Sequence, residues 1–352
     1  MVTLLSLLGV ALLVLAAHEA GHYLAARWCG VRVIRVCIGV GPVVWSRASP
    51  ARNGGRGAIF EWRLLPVTAH TEMLDDLTAP VHPSRRAQAL CGQSLPRRAA
   101  IALAGPLASV LLAVGIYAAL HWSGVRQYEP LLAPPAAGTI AHDAELRGGE
   151  LVQAGALVGG GLVPLATMDQ LHWLLTQAAL ERRDVRLLVT APGRAPQFEV
   201  LVPLAAAVQA PGAFDRLGLQ LDRAATPLIE RYGLVPGLWR AAERAAANAV
   251  LMVRALVAAA TNRPALNLLW GNVQDVAAQT WLVQVALFAA MVTLAVALEN
   301  LLPWPMADGG QLVYIVREAI TGRPVPPATR LRLVRCGSVA YLILGLGLFA
   351  LA

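Results

Sequence analysis

Apolar residues run through this chain in blocks. Val2–Leu24, Ala99–Trp122, Val276–Leu298 and Cys336–Ala352 are long stretches with almost no charge. A helix needs about 20 residues to cross a bilayer. The first three blocks reach that length, and the last, of 17 residues, is marginal. Between the blocks the pattern changes. Val185–Val189 and Phe198–Val202 have strand character around a turn at Pro192-Gly193, and Gly159-Gly160-Gly161 marks a turn between short strands. Met168–Ala179 reads as a helix with Thr167 as its cap. Pro236–Thr261 reads as an Ala-rich helix with an apolar stripe of Leu238, Ala242, Ala245, Ala249, Val253 and Leu256. Such a stripe suits the outer membrane interface, the neighbouring α+β unit or ordinary packing.

The segmentation that follows has eight parts. A first transmembrane helix covers 1–24, a loop 25–98 and a second transmembrane helix 99–122. A small α+β unit takes 135–206, a linker with the amphipathic helix 207–275, and a third transmembrane helix 276–302. A short loop, 303–335, leads to the fourth, 336–352.

Composition agrees with a polytopic membrane protein. Hydrophobic residues make up 57% and charged residues 14%, far from the average soluble domain. All 29 basic residues are Arg, a bias of base composition, so the basic pI implies no nucleic-acid partner. Their placement is informative. Residues 25–98 hold eleven Arg against four acids, and 303–335 hold five against two. Cytoplasmic loops carry the excess of positive charge, so both loops are expected in the cytoplasm and residues 123–275 outside. Cys29, Cys37, Cys91 and Cys336 fall in or beside the cytoplasmic loops and are expected as reduced thiols.

The candidate chemistry interrupts the first block. No residue from Val2 to Ala17 is ionisable, and then His18-Glu19-Ala20-Gly21-His22 follows. On a helix His18 and His22 lie one turn apart on one face, as two nitrogen ligands of one zinc ion do. Glu19 stands beside them, placed to take a proton from water. The block has no basic residue before it, and the motif stands where a leader would be cleaved, so it reads as a span. His18 lies about 24 Å along that helix, near its cytoplasmic end. The third span runs the same way and ends at Asn300 to Gly310, which brings Asp308 to the same depth. Two His and one carboxylate leave a fourth zinc position open, the catalytic arrangement. Pro303 and Pro305 end that helix, and Gly309-Gly310 is expected to turn the backbone sharply.

These residues resemble the site-2 protease family of intramembrane zinc metalloproteases. His18-Glu19-Ala20-Gly21-His22 is similar to its first motif and Asn300–Gly310 to its second, which supplies the third ligand. Arg98 to Pro106 resembles the start of its second span. Gly39-Val40-Gly41-Pro42 with Phe60-Glu61-Trp62-Arg63 resembles its membrane-associated β-hairpin, which presents an edge strand to unwound substrate. Leu266 to Asn272 resembles an Asn-rich segment ahead of the third span, with Trp270 and Asn272 as departures. Other departures are Thr68-Ala69-His70 after Pro66, Ala295, and the extra carboxylate of Glu299.

The resemblance implies a fold and a reaction. The fold is an α-helical polytopic membrane protein with about four transmembrane helices, a membrane-associated β-hairpin and one inserted α+β PDZ-like extracytoplasmic domain. The reaction is zinc-dependent hydrolysis of single-span membrane proteins at or inside the bilayer. Zn2+ is held by His18, His22 and Asp308, with Glu19 catalytic and Asn300 holding extended substrate. The implied setting is the bacterial inner membrane, with the active site near the cytoplasmic side and the PDZ-like domain periplasmic. Its substrates would be a regulator such as an anti-sigma factor or remnant signal peptides, and the PDZ-like unit could take a peptide ligand by strand addition or filter by size. Two other readings fit the residues: a membrane-anchored metallopeptidase acting on soluble peptides, and a non-catalytic scaffold with a structural metal.

Overall fold

The structure, a computed structural model, describes residues 2–50, 57–77, 80–191, 194–207, 217–261 and 280–351. Its first elements are α1 (Val2–Trp28), β1 (Val33–Ala48), β2 (Ile59–Met73), α2 (Leu95–Ser123) and β3 (Val125–Tyr128). Then come β4 (Leu151–Leu157), β5 (Val163–Pro164), α3 (Met168–Glu181), β6 (Val185–Ala191), β7 (Arg194–Val202) and β8 (Pro227–Glu230). Four helices close the chain: α4 (Leu234–Thr261), α5 (Trp281–Leu301), α6 (Asp308–Thr321) and α7 (Pro327–Leu351). Two compact units result, one of residues 1–115 with 288–352 and one of residues 116–287.

In the first unit, α1 buries Val10, Val14, His18, His22 and Ala26, one position in four, and Glu19 beside them. That spacing is one stripe of a helix with 3.6 residues per turn. Its other faces expose Leu4, Leu5, Leu8, Leu13 and Leu24. Hydrocarbon is as apolar as leucine, so a helix in lipid need not be amphipathic. Close packing of α2 on α1 depends on small residues: a Cβ at Gly21 would lie 2.2 Å from the Ala104 carbonyl oxygen and 2.7 Å from Ala108 Cβ.

β1 pairs with β2 along more than one stretch, antiparallel in one register and with both chains rising together in the other. Arg35 to Ile38 have partners at Glu72 to Ala69 and also at Ile59 to Trp62. The chain doubles back at Gly39 and Gly41, whose φ angles of 98° and 90° suit glycine. Val43 to Ala48 then lie along Arg63 to Ile59. Ala26, Val31, Val33, Val36, Ala58 and Ile101 form a small core that seats this sheet on the end of α1. Ion pairs tie down the later helices: Arg98 of α2 meets Glu318 of α6 at 2.7 Å, and Arg330 of α7 meets Asp75 at 3.1 Å.

Among the described residues, three helices are long and apolar enough to cross a membrane: Thr3–Trp28, Leu95–Ser123 and Trp281–Leu301. Residues 276–279 of the expected third span and the Leu266–Asn272 segment lie outside the described residues. Residues 336–351 of the last block fall within α7, which begins nine residues earlier.

The second unit is built on a four-stranded sheet in the order β5-β4-β6-β7, with all neighbours antiparallel. Helix α3 lays Met168, Leu171, Leu175, Ala178 and Ala179 against Leu187, Val189, Val200 and Val202. Its cap is Thr167, whose Oγ1 accepts from the Gln170 N–H at 3.3 Å. Gly159 and Gly160 form the turn after β4, closed by Gly160 N–H donating to the Leu157 carbonyl at 2.8 Å. The Pro192-Gly193 turn between β6 and β7 lies outside the described residues.

Helix α4 packs differently from its sequence stripe. Its buried positions are Gly237, Ala241, Ala245, Asn248, Leu251 and Ala255, while Leu238, Val253 and Leu256 are exposed. Small side chains permit the closer approach, and Asn248 Nδ2 donates to the Tyr117 hydroxyl at 2.8 Å. Apart from Leu251, which is buried, the larger apolar residues Leu238, Val253 and Leu256 are left on the free faces.

Candidate metal centre

The buried stripe of α1 carries His18 and His22, and α2 fixes both rings. His22 Nδ1 lies 2.8 Å from the Ile101 carbonyl oxygen. A carbonyl only accepts, so the proton sits on Nδ1 and Nε2 of the neutral ring keeps its lone pair. His18 Nδ1 lies 3.1 Å from Ser109 Oγ, a hydroxyl that can accept its proton. Such outer partners orient metal-binding imidazoles.

Asp308 is brought in from the start of α6. The connection after α5 is pinned by Trp304, whose indole N–H donates to the Gly337 carbonyl at 3.2 Å. Gly309 and Gly310 belong to the first turn of α6, and neither has a positive φ. Their need for glycine is proximity rather than turning. A Cβ would lie 2.2 Å from the Leu302 carbonyl oxygen at Gly309 and 2.0 Å from that of Trp304 at Gly310. The expected sharp turn at this pair is therefore a close crossing of the chain over the helix start.

The three donor atoms form a near-equilateral triangle. His18 Nε2 and His22 Nε2 are 3.2 Å apart, and Asp308 Oδ2 lies 3.3 Å and 3.1 Å from them. Zinc bonds of about 2.0–2.1 Å at tetrahedral angles separate ligand atoms by about 3.3 Å. All three side chains are buried. Three acceptors converging at such distances repel one another unless a cation sits between them. Gly105 completes the fit: a Cβ there would lie 2.2 Å from His22 Nε2, so only glycine leaves the donor atom clear. The residues present suit a zinc ion.

Glu19 is 4% exposed and stands next to the triangle without joining it. Its Oε2 accepts from the Thr71 hydroxyl at 2.6 Å. Asn300 Nδ2 donates to the Val296 carbonyl of its own helix at 3.0 Å. Among the described residues Asp75, Asp76 and Cys91 also gather. There Arg330 already answers the charge, at 3.1 Å from Asp75 and 3.6 Å from Asp76.

The sequence alone did not point to Thr71, Ser109, the Ile101 carbonyl or Gly105. Ser109 had a signal of its own, a hydroxyl in the middle of an apolar span. Thr71 had none, because only the tertiary fold sets it beside Glu19.

Known proteins are similar to this chain in sequence along nearly its whole length. The regulator of sigma-E protease RseP of Escherichia coli is 25% identical over a gapped alignment 434 positions long, which covers 95% of each chain. Protease RseP of Yersinia pestis is 24% identical, over 96% of this chain and 95% of its own. A protein of Ralstonia nicotianae, provisionally named a zinc metalloprotease, is 25% identical over 98% of this chain and 96% of its own. The family pattern of peptidase family M50 matches residues 6–344. A zinc-shaped donor set on a membrane-length helix and a family match along nearly the whole chain agree, and the chain belongs to peptidase family M50, the site-2 proteases, as a zinc metalloprotease of the regulated intramembrane type.

Proposed function

We propose that this protease hydrolyses a peptide bond of single-span membrane proteins near the cytoplasmic face of the bilayer. The observation that carries the reading is the buried triangle of His18, His22 and Asp308 with Glu19 beside it, at the end of a membrane-length helix. His18, His22 and Asp308 hold the zinc. When bound, the ion polarises the scissile carbonyl and makes water a stronger acid.

The remaining steps belong to the chain. Glu19 takes a proton from water as its oxygen attacks the carbonyl carbon. The C–N bond then breaks, and Glu19 returns the proton to the leaving amine. A substrate helix hides its amides in its own hydrogen bonds, so it must unwind first. β2 offers an edge for the unwound strand. Asn300 contributes by resemblance, using its side-chain oxygen while its Nδ2 stays bonded to Val296.

The Arg-rich segments 25–98 and 303–335 face the cytoplasm. The unit around β4–β7 and α3 lies outside as a single PDZ-like domain that filters substrates or binds a peptide end. α7 makes a fourth crossing of the bacterial inner membrane. Relatives named for sigma-E regulation support an anti-sigma factor as the substrate class, with remnant signal peptides as the other.

The test is cleavage of a reporter-tagged single-span protein by the purified chain in detergent. Wild type is expected to cleave and Glu19→Gln to lose activity while still binding zinc. Equal cleavage by both would remove Glu19 from the mechanism. Faster cleavage of soluble peptides than of the membrane protein would overturn the substrate class.

A further inference from the structure

Thr71 sits on β2, 52 residues from Glu19 in sequence, and its Oγ1 lies 2.6 Å from Glu19 Oε2 and 3.5 Å from the Glu19 carbonyl oxygen. A carboxylate only accepts, so the threonine hydroxyl donates. Among the described residues no other side chain hydrogen-bonds this carboxylate. We propose that Thr71 is a positioning residue, whose hydroxyl holds the Glu19 carboxylate in the orientation that proton transfer needs and ties that orientation to the edge strand of the β-hairpin. The proposal rests on the reading of Glu19 as the proton-transferring group.

Three features carry it. A glutamate on a helix has three rotatable bonds, and its carboxylate swings freely unless something fixes it. α1 supplies the backbone of Glu19, but the one fixed hydrogen-bond partner comes from the sheet. The face of β2 that bears Thr71 is also the face seated on α1. Side chains alternate along a strand, so Ala69 and Met73 share that face, and Met73 packs against the Ala26 and Val31 cluster. Finally, Ala69 to Glu72 pair only with Ile38 to Arg35 of β1. Their other edge faces no strand among the described residues. A peptide strand added at that edge would lie about 4.8 Å from β2. Its amide opposite Thr71 would then be the one nearest Glu19, so the same residue that orients the carboxylate also marks the register of cleavage.

A purely structural role, stapling the sheet to α1, would show in folding and in substrate affinity. A positioning role shows in turnover. The experiment compares Thr71→Val, which keeps the shape and loses the hydroxyl, with Thr71→Ser, which keeps the hydroxyl. Both are assayed as full-length protein in detergent with zinc, on the same tagged single-span substrate. Thr71→Val is expected to lower kcat by about 10- to 100-fold. KM, zinc content and amide hydrogen exchange over β2 are expected to stay at wild-type values. Thr71→Ser is expected to recover kcat to within about 3-fold of wild type.

Full turnover by Thr71→Val would overturn the proposal. So would a loss that Thr71→Ser does not restore, or one carried by KM, zinc content or faster exchange of β2. Glu19→Gln separates the two levels of the argument. If it is inactive while Thr71→Val is fully active, Glu19 keeps its role and Thr71 loses its own. If Glu19→Gln cleaves normally, the underlying reading fails first.

Discussion

Gly105 and His22 approach so closely that a methyl group on the glycine would lie 2.2 Å from the Nε2 donor atom of the imidazole. Gly105→Ala must therefore push the ring aside or part α2 from α1. The expected result is a zinc affinity lowered by at least about 10-fold, the scale seen when partners of ligating residues are altered, with helical content unchanged. Competition with a chromophoric chelator measures it. Wild-type affinity in that variant would show that the ring has room to move.

Ser109 is expected to matter for the same ion through the other histidine. Removing its hydroxyl leaves His18 Nδ1 without its 3.1 Å partner. Ser109→Ala should weaken zinc binding by about 10-fold and Ser109→Thr by much less. The same competition assay decides it, and equal affinity in all three proteins would assign Ser109 to packing alone.

Zinc itself should stabilise the first unit. The proposed donors come from α1 and α6, and a ligand that binds only the folded state adds about 2.7 kcal/mol at 100 times its Kd. The thermal midpoint in detergent is expected to rise with zinc for wild type and to be insensitive to it in His22→Ala or Asp308→Asn. A chelator should abolish peptidase activity, and added zinc should restore it. Stabilisation of the His22→Ala protein equal to wild type would place the ion elsewhere.

The second unit carries a pH-dependent tie of a different kind. Arg244 on α4 grips Asp169 in the first turn of α3, with Nη2 2.8 Å from Oδ1 and Nη1 on Oδ2. Burial would raise the Asp169 pKa, but the Arg244 guanidinium outweighs it and holds the carboxyl below its ordinary value. A carboxyl depressed in the folded state adds stability above its unfolded pKa, about 3.9, and loses it as pH falls through the lower folded value. The side chains are 39% and 30% exposed, so the contribution is about 1 kcal/mol or less. Hydrogen exchange of α3 and α4 in the full chain should quicken below about pH 4 in wild type. Asp169→Asn should exchange at a rate independent of pH in that range, after correction for intrinsic exchange. An unchanged acid response in Asp169→Asn would exclude the pair as its source.

How much of this was legible in the sequence differs from element to element. The Thr167 cap, the Gly159-Gly160 turn and the apolar blocks are local chemistry, and local chemistry can be read directly. Three of the blocks, as far as their residues are described, coincide with helices of membrane length. The pairing of His18, His22 and Asp308 could be foreseen because a helix has a fixed rise and the spans fix depth. The stripe of α1 could not, since lipid-facing leucines look like core residues. The inward face of α4 was misjudged for a related reason: small residues set its packing distance, whereas hydrophobicity ranks the large ones first. Thr71 and Ser109 became visible only when distant segments met, as residues that work through tertiary contact do.

The separation of the donors along the chain also has a consequence in time. His22 and Asp308 are 286 residues apart. At synthesis rates of about 5–20 residues per second, roughly 15–60 s pass between the emergence of the second histidine and that of the aspartate. On the proposed ligand set, a nascent chain that stops short of Asp308 carries two of the donors and cannot complete the centre. Hydrolysis, on that set, has to wait until Asp308 has been made.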